Sequence, residues 1–210
     1  EAELLKIYHH YYQCGEKILN AKSAGERALR NQALSYLCAL KKPDHFKLAL
    51  QQATEAKNMT DEIAALASLN SFDSPERKVA LEQFYKKWSK ESLVMNKWFS
   101  LHALTPIENA LEKIIETSHN PSFDSNNPNK IYSLFGGFGT YNMLRFNDPS
   151  GKAYKWMADK VIEVDARNPQ VASRLVSTFN QWKKLDPARQ GLVKVQLQRI
   201  VAQQGISPNV

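Results

Sequence analysis

Several features that accompany catalysis or membrane insertion are missing from this sequence. None of its 210 residues starts an H-E-x-x-H motif, in which two histidines one helical turn apart bind zinc and a glutamate activates water. The G-x-S-x-G motif of serine hydrolases and the phosphate-binding P-loop are absent too. No apolar run approaches the roughly 20 residues that span a bilayer. We therefore expect no catalytic site within these residues and no membrane as a partner.

Cysteine is also scarce. Cys14 and Cys38 both fall on predicted apolar helix faces, which predicts buried free thiols in a reducing compartment and no disulfide framework. His10 lies one helical turn before Cys14, and the two could share a metal ion. No second pair of ligands accompanies them, so we expect no metal or other cofactor in this chain.

The charge balance argues against nucleic acid as a partner. The net charge of +7 permits an acidic partner, but the lysines and arginines are interleaved with acids along the chain, which predicts an ordinary solvated basic surface. With 43% apolar and 23% charged residues, the chain can form one elongated helical domain or two small ones.

Proline marks the expected helix starts. Eight of the nine prolines follow Asn, Asp, Ser or Thr, whose side chains cap a helix that opens with proline at its first position. Such starts are predicted at Ser74-Pro75, Thr105-Pro106, Asn168-Pro169, Asp186-Pro187 and Ser207-Pro208. Thr105 with Glu108 also fits a capping box. No helix follows Ser207-Pro208, so we expect a final helix to be missing after Val210.

Between these marks the apolar residues recur with a helical period. One example is the stripe of Leu29, Ala33, Tyr36, Leu37 and Leu40. The pattern predicts an all-α fold of about eleven helices of ten to eighteen residues. Short connections favour an irregular superhelix of antiparallel helix pairs, similar to HEAT or armadillo arrays.

Two stretches are predicted to be surface loops, residues 119–129 and 136–151. Within the second, Gly136-Gly137-Phe138-Gly139 superficially resembles a phosphate-binding loop. It follows a predicted helix instead of a strand, so a helix terminus that requires positive φ is the favoured explanation.

The most specific local pattern is the run R-N-P-Q-V-A-S-R at residues 167–174. Asn168 caps a helix and Pro169 opens it, so Gln170 and Arg174 project from one face, one turn apart. A guanidinium beside an amide near a helix N-terminus can bind a carboxylate or a backbone carbonyl. The alternative is an ordinary exposed first turn or an intramolecular salt bridge.

The chain resembles the C-terminal helical domain of bacterial aminopeptidase N, a zinc aminopeptidase of the gluzincin family. The matching stretches cover most of residues 25–200 in the family's order, and N-P-Q-V-A-S-R is the most specific. They are GERALRN (25–31), NMTDEIAAL (58–66), SLVMNKWF (92–99), NPNKIYSLFGGF (127–138) and ARNPQVASRL (166–175).

The resemblance implies that residues 1–210 form one capping domain of a larger cytoplasmic bacterial enzyme. Its zinc and catalytic residues would lie in other domains, and this chain would close over them and control the access of peptides. Its partners would be its own catalytic domain and peptide substrates.

The resemblance also places Gln170, Arg174 and Tyr132 along the substrate chamber. Tyr132 departs from the pattern, because the related enteric enzyme has an arginine there. An independent helical-repeat module that binds other proteins is the alternative function.

Overall fold

The computed structural model describes residues 1–13 and 20–210, and every regular element in these ranges is helical. This confirms the all-α prediction. The chain divides into two compact units, Glu1–Lys90 and Glu91–Val210. Cys14 lies outside the described residues, as does the suggested pairing of Cys14 with His10. None of the described helices is long and apolar enough to cross a membrane.

The first unit consists of helices of twelve to nineteen residues. They are α1 (Ala2–Gln13), α2 (Ala21–Ala39), α3 (Pro43–Glu55), α4 (Met59–Asn70) and α5 (Pro75–Trp88). Helices α1, α3 and α4 all pack against α2, and α5 packs on α3 and α4. Consecutive helices are thus also spatial neighbours, as short connections predict.

The buried face of α2 differs from the predicted stripe. Leu29, Tyr36 and Leu40 are 45%, 56% and 45% exposed. Ala33 and Leu37 of the stripe are buried as predicted, and the other buried residues of α2 are Arg30, Leu34 and Cys38. The reason is an ion pair: Arg30 reaches Asp61 of α4, and the face that carries Arg30 therefore turns inward. A buried arginine among apolar residues is invisible to a count of apolar periodicity.

The second unit mixes long helices with short ones. Its helices are α6 (Ser92–Leu104), α7 (Ala110–Ser118), α8 (Pro128–Ile131), α9 (Gly137–Tyr141), α10 (Met143–Phe146), α11 (Lys152–Asp165), α12 (Pro169–Val176) and α13 (Pro187–Val201). A π-helical turn, Tyr132–Gly136, joins α8 to α9, and two 3₁₀ turns, Ser177–Phe179 and Trp182–Lys184, lie between α12 and α13. Helix α11 packs against both α12 and α13.

Three of the predicted helix starts are confirmed. The side chains of Ser74, Asn168 and Asp186 accept backbone N–H hydrogen bonds of 3.1, 3.2 and 3.1 Å in the first turn that follows each. Ser207 starts no helix within the described residues. Its N–H and hydroxyl donate to Asp165 at the end of α11, at 2.7 and 2.5 Å, and this fixes the last residues to that helix.

The predicted start at Thr105-Pro106 is wrong. Thr105 ends α6, and α7 begins only at Ala110. Tertiary hydrogen bonds keep the segment between α6 and α7 in a non-helical conformation. The Asn142 amide donates to the carbonyls of Ala103 and Thr105 at 2.9 and 2.7 Å, and Arg145 Nε donates to the carbonyl of Pro106 at 2.6 Å. These bonds come from residues far along the chain, and they override the local capping signal.

The predicted loop at residues 136–151 is also wrong, because α9 and α10 lie within it. The φ angles of Gly136 and Gly137 are −61° and −57°, so this glycine run is not a helix terminus with positive φ. Gly139 serves close packing instead, since a Cβ there would lie 2.6 Å from Cγ2 of Thr178. Among the described glycines, positive φ occurs at Gly151 and Gly205.

Candidate functional site

Helix α12 presents Gln170 and Arg174 on one exposed face. Asn168 caps the helix and Pro169 occupies its first turn. On the opposite face Val171, Ala172 and Leu175 are buried, and α12 packs there against α11. Because three apolar residues hold the inner face, the polar pair must face outward. The structure therefore brings Gln170 and Arg174 to the same surface, as the sequence predicts.

The cap at Asn168 fixes where this surface begins. We expect Asn168→Ala to lower the free energy of unfolding by about 1 kcal/mol, because it leaves a first-turn N–H without its side-chain acceptor. The matched control is Asn109→Ala, since Asn109 stands at the N-cap of α7 but makes no side-chain capping bond. Urea denaturation of both variants measures the difference. Equal losses from the two variants would contradict the role given to the Asn168 side chain.

Tyr132 lies beside Arg174, although the two are far apart in sequence. The guanidinium carbon of Arg174 is 5.2 Å from the centre of the Tyr132 ring, which is a cation–π contact. Tyr132 is half-buried and begins the π-helical turn. Such turns are rare, and they are frequent at functional sites. The structure thus places Tyr132, on the π-helical turn, next to Arg174, which shares the exposed face of α12 with Gln170. These are the three residues that the resemblance singles out.

The N–H groups of the Arg174 guanidinium are available to bind a group from outside the chain. Among the described residues, none forms an ion pair with Arg174, and none hydrogen-bonds the side chain of Gln170. Arg167 differs, because its guanidinium donates to Glu163 at 3.0 Å and to Ser125 at 3.1 Å. The intramolecular salt bridge left open for this run therefore forms at Arg167, and the planar guanidinium of Arg174 can donate hydrogen bonds to a carboxylate or carbonyl oxygen.

The remaining candidates for chemistry do not form a site. Cys38 is buried, and its burial raises the pKa of the thiol to about 12, so it is not a thiolate nucleophile near neutral pH. Within the ranges that the structure describes, no three His, Cys, Asp or Glu side chains are grouped so that they could hold a metal ion.

Sequence reasoning missed the contact between Arg174 and Tyr132. It depends on how α12 packs near the π-helical turn, which no local pattern encodes. The available signal was indirect: both residues stand in stretches that match the same family.

Comparison with known proteins identifies a family and several relatives that this chain matches. A family model described as "Domain of unknown function (DUF3458_C) ARM repeats" matches residues 1–210. Aminopeptidase N of Caulobacter vibrioides is 38% identical over 99% of this chain and 24% of its own length. Aminopeptidase N of Escherichia coli is 34% identical over 98% of this chain and 23% of its own length.

A solved structure agrees with these sequence matches. The aminopeptidase A of Legionella pneumophila, in complex with aspartic acid, superimposes with a TM-score of 0.90 at 29% identity, covering 100% of this chain and 25% of its own. The chain therefore spans about a quarter of the length of these relatives. The resemblance to the C-terminal domain of aminopeptidase N is confirmed, and the ARM-repeat description agrees with the armadillo-like prediction.

Proposed function

Because the chain belongs to the DUF3458_C family of ARM-repeat domains, we propose that it is the capping domain of a zinc-dependent aminopeptidase N. In this proposal residues 1–210 are one domain of a larger cytoplasmic bacterial enzyme. They enclose its substrate chamber, limit entry to peptides and perform no catalysis themselves. The observation that carries the proposal is the exposed pair Gln170 and Arg174. The pair lies in a chain of which 99% aligns with aminopeptidase N of Caulobacter vibrioides.

The metal in this proposal lies outside the chain. The described residues offer no group of three metal-ligating side chains and so do not fit a zinc site. We assign the zinc, which activates water for hydrolysis when it is bound, to the catalytic domain that this chain would cover.

The chain's own contribution is to bind and position the peptide. The ring of Tyr132 supports one face of the Arg174 guanidinium, whose N–H edges can donate two parallel hydrogen bonds to a carboxylate or carbonyl oxygen. The Gln170 amide both donates and accepts, so it can pair with a peptide N–H or C=O. We propose that these groups contact the substrate beyond the bond that is cleaved.

Kinetics of the full-length enzyme test this role. We expect Arg174→Ala to lower kcat/KM for a tripeptide about tenfold, because a hydrogen bond from a charged donor is lost. Gln170→Ala should lower it about threefold, since a neutral hydrogen bond contributes less. Beyond the cleaved bond a single-residue arylamide has only its aryl amine, with no peptide carbonyl or carboxylate to bind, so its kcat/KM should stay within about twofold.

Arg167→Ala is the matched control. It removes an arginine from the same segment whose guanidinium is already bound to Glu163, so both substrates should be hydrolysed as in the wild type. Equal losses for tripeptide and arylamide in Arg174→Ala would overturn the assignment, and so would the absence of any loss. The independent interaction module would gain support if the full-length protein lacked H-E-x-x-H.

A further inference from the structure

The second unit contains a pocket of about 480 Å³ that does not include Gln170, Arg174 or Tyr132. Its volume lies within the range of small-molecule sites. Four buried apolar or aromatic side chains line its interior, namely those of Phe146, Tyr154, Phe179 and Val193. More exposed side chains line its mouth, among them Met143, Trp182, Leu185, Thr140, Gln181 and Lys184. The pocket is therefore apolar inside, and its opening carries both apolar and polar side chains.

Several polar groups that line the pocket already have partners within the unit. Asn147 Oδ1 accepts the Tyr154 hydroxyl at 2.9 Å, and the hydroxyls of Ser177 and Thr178 donate to the carbonyls of Arg174 and Leu175 at 2.6 and 2.7 Å. The three hydroxyl protons are thus already donated within the unit, so these hydroxyls offer a ligand no further O–H donor.

Other polar groups at the mouth are available. No described residue accepts a hydrogen bond from the indole N–H of Trp182, and none pairs with the ammonium group of Lys184 or the side-chain amide of Gln181. The indole N–H and the ammonium group are donors, and both belong to residues that line this aromatic pocket. A ligand that satisfies them needs an acceptor attached to an apolar body.

The charged side chains at the opening of the pocket decide whether an anionic or a neutral acceptor is favoured. Lys184 is the charged side chain among the lining residues, and the lining includes no carboxylate. The nearby Asp186 is engaged by Arg189 at 2.5 Å. The ammonium group of Lys183 lies 5.8 Å from the Trp182 ring but does not line the pocket, so the positive charge at the mouth is that of Lys184. An anion is therefore favoured over a neutral group of the same shape.

We infer that this pocket binds a small aromatic carboxylate. The aromatic ring enters the space lined by Phe146 and Phe179, and the carboxylate stays at the mouth, where Lys184 and the Trp182 N–H donate to it. A free aromatic amino acid and the C-terminal residue of a short peptide share this chemistry. The inference does not depend on the proposed capping function, because none of the residues of that site lines the pocket.

Nuclear magnetic resonance of the 210-residue chain tests the inference. The indole N–H signal of Trp182, assigned from its loss in Trp182→Phe, is followed during titration with 3-phenylpropionate and with its neutral amide. We expect a saturable shift with a dissociation constant on the order of 1 mM or below for the carboxylate. We expect binding of the amide to be at least about fivefold weaker, because it lacks the charge. No saturable shift, or equal binding of the two compounds, overturns the inference.

Two neighbouring lysines provide a matched pair of variants. Lys184→Gln should weaken binding of the carboxylate about fivefold and leave binding of the amide unchanged. Lys183→Gln should change both by less than about twofold, since Lys183 does not line the pocket. Both side chains are exposed, so neither change should impair folding. If both variants weaken carboxylate binding equally, the charge acts at long range and the assigned contact is wrong.

Further titrations identify the source of the ligand. Phenylalanine and glycyl-phenylalanine carry the same aromatic carboxylate, as a free amino acid and as a peptide terminus. Tighter binding of the first assigns the pocket to free amino acids, and tighter binding of the second assigns it to peptide C-termini. If both leave the Trp182 signal unchanged, the inference fails.

Discussion

Asp61→Ala is expected to lower the free energy of unfolding by about 3–5 kcal/mol, because it leaves the Arg30 charge buried without its partner. The Arg30 guanidinium lies 2.5 Å from Asp61 Oδ2, and the two residues are 5% and 4% exposed. The amides of Asn31 and Asn58 donate to the same carboxylate at 2.8 and 2.6 Å. One substitution therefore disrupts a network that joins α2 to the start of α4. Urea denaturation measures the loss.

Two further variants separate the buried charge from a general loss of side-chain contacts. Glu82→Ala removes an exposed ion pair with Lys86 and should change stability by less than about 0.5 kcal/mol. The double variant Arg30→Met with Asp61→Leu should recover at least half of the loss, because it removes both buried charges. If the double variant is as unstable as Asp61→Ala alone, the cost comes from lost packing and not from the orphaned arginine.

The same carboxylate should make stability depend on pH. Burial alone would raise the pKa of Asp61, but hydrogen bonds from Arg30, Asn31 and Asn58 and the charge of Arg30 lower it below its usual value of 3.8. A folded-state pKa below the unfolded one stabilises the fold above the unfolded pKa, and this stabilisation is lost as pH falls through the folded pKa. Urea denaturation at decreasing pH measures this effect. Below pH 3.8, the free energy of unfolding should fall less steeply with pH in Asp61→Asn than in the wild type.

The sequence predicts the helical class because its signals are local. A capping side chain followed by proline acts within one turn, so Ser74, Asn168 and Asp186 could be identified without any tertiary contact. The same signal failed at Thr105, where Asn142 takes the carbonyls that end α6. Local patterns thus fail where residues distant in sequence form the decisive hydrogen bonds.

The candidate site was predictable to a similar extent. The helical repeat places Gln170 and Arg174 one turn apart, and three buried apolar residues on the opposite face of α12 confirm which face is outward. The position of Tyr132 next to Arg174 required tertiary structure. The pocket beside Trp182 was not foreseen either, because its lining residues come from both sides of α11 in the sequence.

Gly139→Ala is expected to lower the free energy of unfolding by about 2–3 kcal/mol, because the added methyl group overpacks the interior. Its Cβ would lie 2.6 and 2.7 Å from Cγ2 and Cβ of Thr178, and 3.0 Å from Cε of Met157. Thr178 cannot rotate away freely, since its hydroxyl donates to the carbonyl of Leu175 at 2.7 Å. Thermal and urea denaturation measure the loss.

Gly136→Ala is the matched control, from the same glycine run. Nothing outside its own turn approaches a Cβ there, and the nearest atoms belong to Tyr132 at 3.9 Å. This substitution should raise stability by about 0.5 kcal/mol, because alanine has fewer unfolded conformations than glycine. Adding Thr178→Ser to Gly139→Ala removes the closest methyl group and should recover about 1 kcal/mol of the loss. A glycine run that served only chain flexibility would make Gly136→Ala and Gly139→Ala equally costly. The close-packing explanation requires the large difference, because only Gly139 faces Thr178.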